Sequence, residues 1–152
     1  MTALVVYDSA YGNTEIIARA IATALGTDTP AIRPGEADAG RVAAADLLVV
    51  GSPTQGGRPL PSLTAFIAGL GPLAGKRVAV FDTRIPGGET NFFVRALMGV
   101  IGYAAPKLGK ALRAKGGTTA AAPEGFYVTG KEGPLRDGEA DRAGKWAQAL
   151  TR

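Results

Sequence analysis

Three short runs of branched apolar residues punctuate the chain, and none alternates with polar positions. They are "ALVVY" at 3–7, "DLLVVG" at 46–51 and "RVAVF" at 77–81. Continuous apolar runs of this length suit strands of a parallel sheet that is covered on both faces. Between them the period changes. Ile17, Ala18, Ile21, Ala22 and Leu25 recur at helical spacing, so a helix is predicted from Asn13, with Gly26 as its stop. A weak second strand at 29–33, a short helix or turn at 37–45 and a helix at 62–70 complete the first half. After a stretch of mixed character at 82–103, a helix is expected over 104–115, with Pro106 in its first turn and Gly116 and Gly117 ending it. A last strand region at 118–122, resuming at 126–128, precedes a closing helix over 138–150. That helix carries Ala140, Ala143, Ala147 and Leu150 on one face, and Trp146 is expected to pack.

Strands alternating with helices predict βαβ units, hence an α/β fold with a parallel sheet and helices on both sides. In such sheets ligands bind beyond the carboxyl ends of the strands, where the strand order reverses. Chemistry is therefore to be sought in the loops that follow strands. A length of 152 residues predicts one domain, 1–152.

Composition narrows the chemistry. The chain has no cysteine and no histidine, which excludes disulfides, thiolate or imidazole metal sites and every Ser-His or Cys-His nucleophile. No set of carboxylates clusters in the sequence, so no metal site is expected. Asp8 interrupts the opening apolar run too early for a secretory signal, and no apolar stretch is long enough to cross a membrane. A soluble, cytoplasmic protein is the expectation. The net charge of +4 is spread along the chain, without a nucleic-acid-binding motif. It permits acidic partners and does not demand nucleic acid.

The first strand hands over to the first helix through Ser9, Ala10, Tyr11, Gly12, Asn13 and Thr14. A helix start presents unpaired N–H groups and a partial positive charge, both of which favour an anion such as phosphate. Ser9 and Thr14 add hydroxyls, Asn13 adds an amide, and Gly12 permits unusual backbone angles. The segment lacks the lysine of a nucleoside-triphosphate loop and the three glycines of a dinucleotide fingerprint. A plain helix cap explains the same residue types equally well.

This stretch resembles the phosphate loop of the flavodoxin family, which reads Ser/Thr-x-Thr/Ser-Gly-x-Thr directly after the first strand. Tyr11 departs from it at the third position; the "YGNTE" version also resembles the loop of flavodoxin-fold quinone reductases. The resemblance covers nearly the whole chain. It implies a flavodoxin-like three-layer α/β/α sandwich, with a five-stranded parallel sheet of order 2-1-3-4-5. It also implies that the loop holds the 5′-phosphate of FMN. In flavodoxins the loop after the next central strand packs on the flavin ring. Here it contains Pro53, Thr54, Gln55, Gly56 and Gly57, with Gln55 where an aromatic is usual. A glycine peptide there can flip to offer its carbonyl to a flavin nitrogen. The third loop, beginning at Asp82, Thr83 and Arg84, would cover the other face; a surface ion pair of Asp82 with Arg84 explains the same charges. "FDTR" and the tail from Glu124 to Ala147 resemble a subgroup of small flavodoxin-like proteins. Phe92, Phe93 and Tyr103 lie in an apolar segment, 91–103, and are read as core, with one of them available to shield the flavin.

The function implied is an FMN-binding electron carrier between redox partner proteins, a reductase and an acceptor, with no residue acting as acid, base or nucleophile. Two alternatives stand beside it: an FMN-dependent NAD(P)H:quinone-type reductase, and a flavin-free binding module on the same fold. Arg58 and Arg84 lie in the loops expected to flank the ring, which implies an acidic partner and stabilisation of the reduced, anionic flavin.

Overall fold

The computed structural model describes residues 1–86 and 102–152. The segment containing Phe92 and Phe93 lies outside the described residues, apart from Gly102 and Tyr103. The strands are β1 (Ala3–Tyr7), β2 (Ala31–Ile32), β3 (Leu47–Pro53), β4 (Arg77–Arg84), β5 (Thr118–Thr119) and β6 (Glu124–Tyr127). Among the described residues the helices are α1 (Asn13–Leu25), α2 (Ala39–Ala44), α3 (Pro61–Ala68), α4 (Ala104–Ala114) and α5 (Glu139–Ala149), with one 3₁₀ turn at Pro34–Glu36.

All strands pair in parallel, in the order β2-β1-β3-β4-β5, and β6 also pairs with β4. The expected fifth strand is thus two short segments, one on each half of β4. Arg77 and Val78 face Thr118 and Thr119, whereas Phe81 to Arg84 face Glu124 to Tyr127. The expected strand at 29–33 shortens to two residues.

Successive residues of the central strands feed opposite layers, as the two-residue period of a strand requires. Val5, Tyr7, Leu47, Val49, Phe81 and Phe126 pack under Ile17 and Ile21 of α1, Ala143 and Ala147 of α5, and Leu150 at the end of α5. Leu4, Val6, Leu48, Val50, Val78 and Val80 pack under Leu63, Ile67, Leu108 and Leu112 of α3 and α4. Trp146 packs as expected, edge-on to Phe81 and Phe126 with ring centroids 6.3 and 6.0 Å away.

Helix α5 is fastened to β6 through Glu139 and Arg142. The buried Glu139 carboxylate accepts from Tyr127 N at 2.7 Å and from Arg142 Nε at 2.9 Å. Arg142 also reaches Glu124 at 3.2 Å and lies 4.6 Å from the Phe126 ring centroid. Hydrogen bonding from Arg142 holds the Glu139 carboxyl below the usual carboxylate range; burial opposes this, and the Tyr127 N–H and nearby arginines reinforce it. A carboxylate with a depressed folded pKa stabilises the fold above its unfolded value and loses that contribution as pH falls through the folded value. The thermal midpoint is therefore expected to fall as pH drops below about 4. Glu139→Gln should lower it at neutral pH, by about 1–3 kcal/mol in stability, and flatten that acid limb. Melting curves of both proteins from neutral to acid pH test this; parallel limbs would assign the acid sensitivity elsewhere.

Candidate functional site

The chain leaves β1 toward β2 on one side and returns to β3 on the other, so the strand order reverses between β1 and β3. Above the carboxyl ends of β1, β3 and β4 lies a cleft of about 490 Å³. Pockets of roughly 300–1,000 Å³ are typical for small ligands.

One end of the cleft is the β1–α1 loop. Ser9, Ala10, Tyr11, Asn13 and Thr14 line it. The loop is built from within: Ser9 N donates to Asp8 Oδ1 at 2.8 Å, and Gly12 N donates to Ser9 Oγ at 2.9 Å. Gly12 has φ +93°, left-handed geometry that L side chains rarely adopt, so glycine is required where the loop enters α1. It does not itself line the cleft. The N–H groups of Ala10, Tyr11, Asn13 and Thr14 find no acceptor among the described residues. Asp8 anchors the loop from behind, accepting from Ser62 Oγ at 2.7 Å and pairing with Arg33. Burial disfavours its charge, but the hydrogen bonds from Ser62 and Ser9 N and the Arg33 guanidinium outweigh burial and hold its carboxyl below the ordinary range.

Two of the side chains singled out in the loop have partners of their own. Thr14 is buried and its Oγ1 lies 2.8 Å from Thr83 Oγ1 on β4. One hydroxyl donates to the other, which leaves the second proton available to a ligand above. Asn13 Nδ2 donates to the Glu132 carbonyl at 3.1 Å, so one amide donor is spent on the loop after β6.

The second wall is Pro53, Thr54, Gln55 and Gly56. Arg58 N donates to Gln55 O at 3.0 Å, and Gln55 N donates to Arg58 O at 2.9 Å. Between them Gly56 and Gly57 have φ +58° and +77°. Two central residues with positive φ are what a two-residue type I′ turn requires. Gly57 is buried outside the cleft lining, and its carbonyl accepts from Lys107 Nζ. Ser52 Oγ closes the loop by accepting from Leu60 N at 2.9 Å.

Asp82, Thr83 and Arg84 are strand residues, not loop residues: β4 runs three positions beyond the expected end at Phe81. Thr83 and Arg84 line the cleft and Asp82 does not. Asp82 is fully buried, so the expected surface ion pair is a buried one. Its carboxylate accepts from Arg84 Nε at 2.7 Å, from Arg84 Nη2 at 2.8 Å and from Ala105 N at 2.9 Å. Thr54 Oγ1 accepts from Ala104 N at 3.0 Å. The start of α4 is thus capped by the tips of β3 and β4. Tyr103 lies against this cluster, with the Arg84 guanidinium 3.7 Å from its ring centroid.

Ile85, Val128 and Lys131 also line the cleft, and the sequence reading missed them. The signal available was position: "VTGKEG" follows the last strand, at the ligand-binding end of the sheet. Tyr11 and Ile85, 45% and 50% exposed, present apolar surface at this mouth.

A parallel sheet wrapped by helices, with a helix start and a glycine turn on one cleft at its switch point, defines a protein of the doubly wound α/β class. A family model described as a flavodoxin domain matches residues 4–88, and the chain belongs to that family. No curated protein matches the sequence. Among solved structures, a flavodoxin from the domain Archaea is 21% identical with a TM-score of 0.75, over 99% of this chain and 96% of that one. Oxidised flavodoxin 2 from Bacillus cereus is 23% identical with a TM-score of 0.73, over 99% and 98%. The rubredoxin oxygen:oxidoreductase of Desulfovibrio gigas is 22% identical with a TM-score of 0.73, but 99% of this chain covers only 35% of that longer one. At these identities the likeness is one of fold.

Proposed function

We propose that the cleft binds FMN and that the protein carries electrons between redox partners. The observation that carries this reading is the pairing across one cleft of unpaired N–H groups at the start of α1 with a positive-φ diglycine turn at the end of β3. The first suits a phosphate. The second offers backbone polar groups at the edge of a planar ring.

FMN, when bound, supplies the electron chemistry; the chain supplies binding and environment. The N–H groups of Ala10, Tyr11, Asn13 and Thr14 hold the phosphate, with the Thr14–Thr83 hydroxyl pair at its base. Pro53, Thr54, Gln55 and Gly56 border the ring, and Tyr11 and Ile85 shield it from water. Gly57 O is tied to Lys107, so the Gly56–Gly57 peptide is the one that rotates without breaking that bond. Rotating the central peptide of a type I′ turn gives type II′ and keeps the bond from Arg58 N to Gln55 O. Arg84 is neutralised by Asp82 and contributes less field than its position suggests. The outward charge is instead that of Arg58 and of α4, where Lys107, Lys110 and Arg113 are exposed and no acidic residue occurs. This face suits an acidic partner.

Titration of the purified protein with FMN and with riboflavin tests the reading. A hydrogen bond to a charged group contributes about 1.5–3 kcal/mol, so several of them predict FMN affinity at least 100-fold above that of riboflavin. Equal affinities would remove the phosphate assignment, and binding of neither flavin would leave the flavin-free module. Electron exchange of the loaded protein with an acidic partner should slow steeply with salt. Sustained NAD(P)H oxidation by the loaded protein alone would move it to the reductase class.

A further inference from the structure

The β1–α1 loop contains no cationic side chain, yet a lysine faces it from the far end of the chain. Residues 129–134 form a closed loop after β6. Thr129 N and Oγ1 both donate to Pro134 O, at 2.8 and 3.0 Å, and Gly133 N donates to Gly130 O at 3.0 Å. This loop rests on the first turn of α1. Asn13 Nδ2 donates to Glu132 O at 3.1 Å. At Gly133, φ +97°, a Cβ would come within 2.5 Å of Asn13 Oδ1, so only glycine permits the approach.

The docking leaves Lys131 on the cleft wall beside Ser9, Ala10, Tyr11 and Asn13. Its ammonium has no hydrogen-bond or ion-pair partner among the described residues. Carboxylates around the cleft are committed elsewhere: Asp8 and Glu15 to Arg33, and Asp82 to Arg84. The neighbouring Glu132 turns its backbone carbonyl to Asn13 and does not line the cleft. An unpaired cation therefore stands next to four backbone N–H groups that have no acceptor.

We infer that Lys131 pairs with the phosphate of the bound flavin nucleotide, and that loop 129–134 is a further wall of the cofactor site, held in place by Asn13. The inference rests on the FMN reading above. In this arrangement the role of Asn13 is to seat the lysine-bearing loop. A solvent-accessible pair between ammonium and phosphate is modest in strength and screened by salt.

The test is the affinity of wild type, Lys131→Gln and Lys131→Arg for FMN and for riboflavin, at low and high ionic strength. Lys131→Gln should weaken FMN about five-fold at low salt, leave riboflavin unchanged and flatten the salt dependence of FMN binding. Lys131→Arg should retain most of the affinity. Lys131 is exposed, so the melting temperature of the flavin-free variants should match wild type. FMN binding with an unchanged preference over riboflavin in Lys131→Gln overturns the lysine assignment alone. Binding of neither flavin by wild type overturns the FMN reading and this inference with it.

Discussion

Asp82→Ala is expected to cost about 3 kcal/mol of stability. Removing one member of a buried ion pair typically costs about 3–5 kcal/mol, because the other charge stays behind without a partner. Here the Arg84 side chain keeps 16% of its exposure and can turn partly toward water, which places the effect at the low end. The substitution also strips Ala105 N of its acceptor at the start of α4. A domain of this size shifts its midpoint by roughly 2–4 °C per kcal/mol, so melting should drop by about 6–12 °C. Asp82→Asn separates charge from shape, since it keeps an acceptor for Ala105 N but cannot neutralise Arg84. In the FMN-loaded protein it should also make the flavin easier to reduce, because the Arg84 charge is no longer compensated. If Asp82→Asn leaves both stability and potential at the wild-type values, the pair neither holds the fold nor shields the flavin.

Gly51→Ala is expected to destabilise at or above the upper end of the roughly 1–3 kcal/mol that overpacking usually costs. A Cβ at Gly51 would lie 2.0 Å from Phe81 Cζ and 2.2 Å from its Cε1. Phe81 is opposite Gly51 in the parallel register, and its ring fills the space a side chain would take. The ring has no room to yield, being fully buried and wedged edge-on between Phe126 and Trp146 at 6.1 and 6.3 Å. Ser52 and Asp82, both buried, are the next pair in the same register, so a shift of the ring would be felt toward the strand tips. Denaturant unfolding of Gly51→Ala, Phe81→Leu and the double variant measures the coupling. The double variant should recover part of the loss in Gly51→Ala. Strict additivity would show that the clash is relieved by some movement other than that of the ring.

How much of this was legible in the chain depends on how local each feature is. The buried strands β1, β3 and β4 and the helix α1 are legible because solvent exclusion on both faces, or on one stripe, leaves a periodic apolar record. Their alternation already implies the sheet and where its ligand end lies. The β1–α1 loop is legible as a candidate anion turn because its glycine and its hydroxyl residues are neighbours in sequence. The turn at Gln55 to Arg58 is legible for the same reason, since two adjacent glycines supply the positive φ that it needs.

The remainder turned on partners far apart in the chain. Asp82 and Thr83 read as the start of a loop, yet both are buried inside a strand. Their partners are Arg84 two residues on, Ala105 and Thr14, and only the last two require the fold. Helix α4 begins at two alanines with no local cap, because its caps arrive from β3 and β4. The position of Lys131 after the last strand points only to the ligand end of the sheet; the fold sets it on the cleft wall, where Asn13 holds its loop through the carbonyl of Glu132, 119 positions from Asn13. Local pattern determined which segments became strands, helices and a candidate anion site. Tertiary structure decided which charges are neutralised and which face the cleft, because a buried charge or N–H group takes the partner that packing brings to it, at whatever distance along the chain.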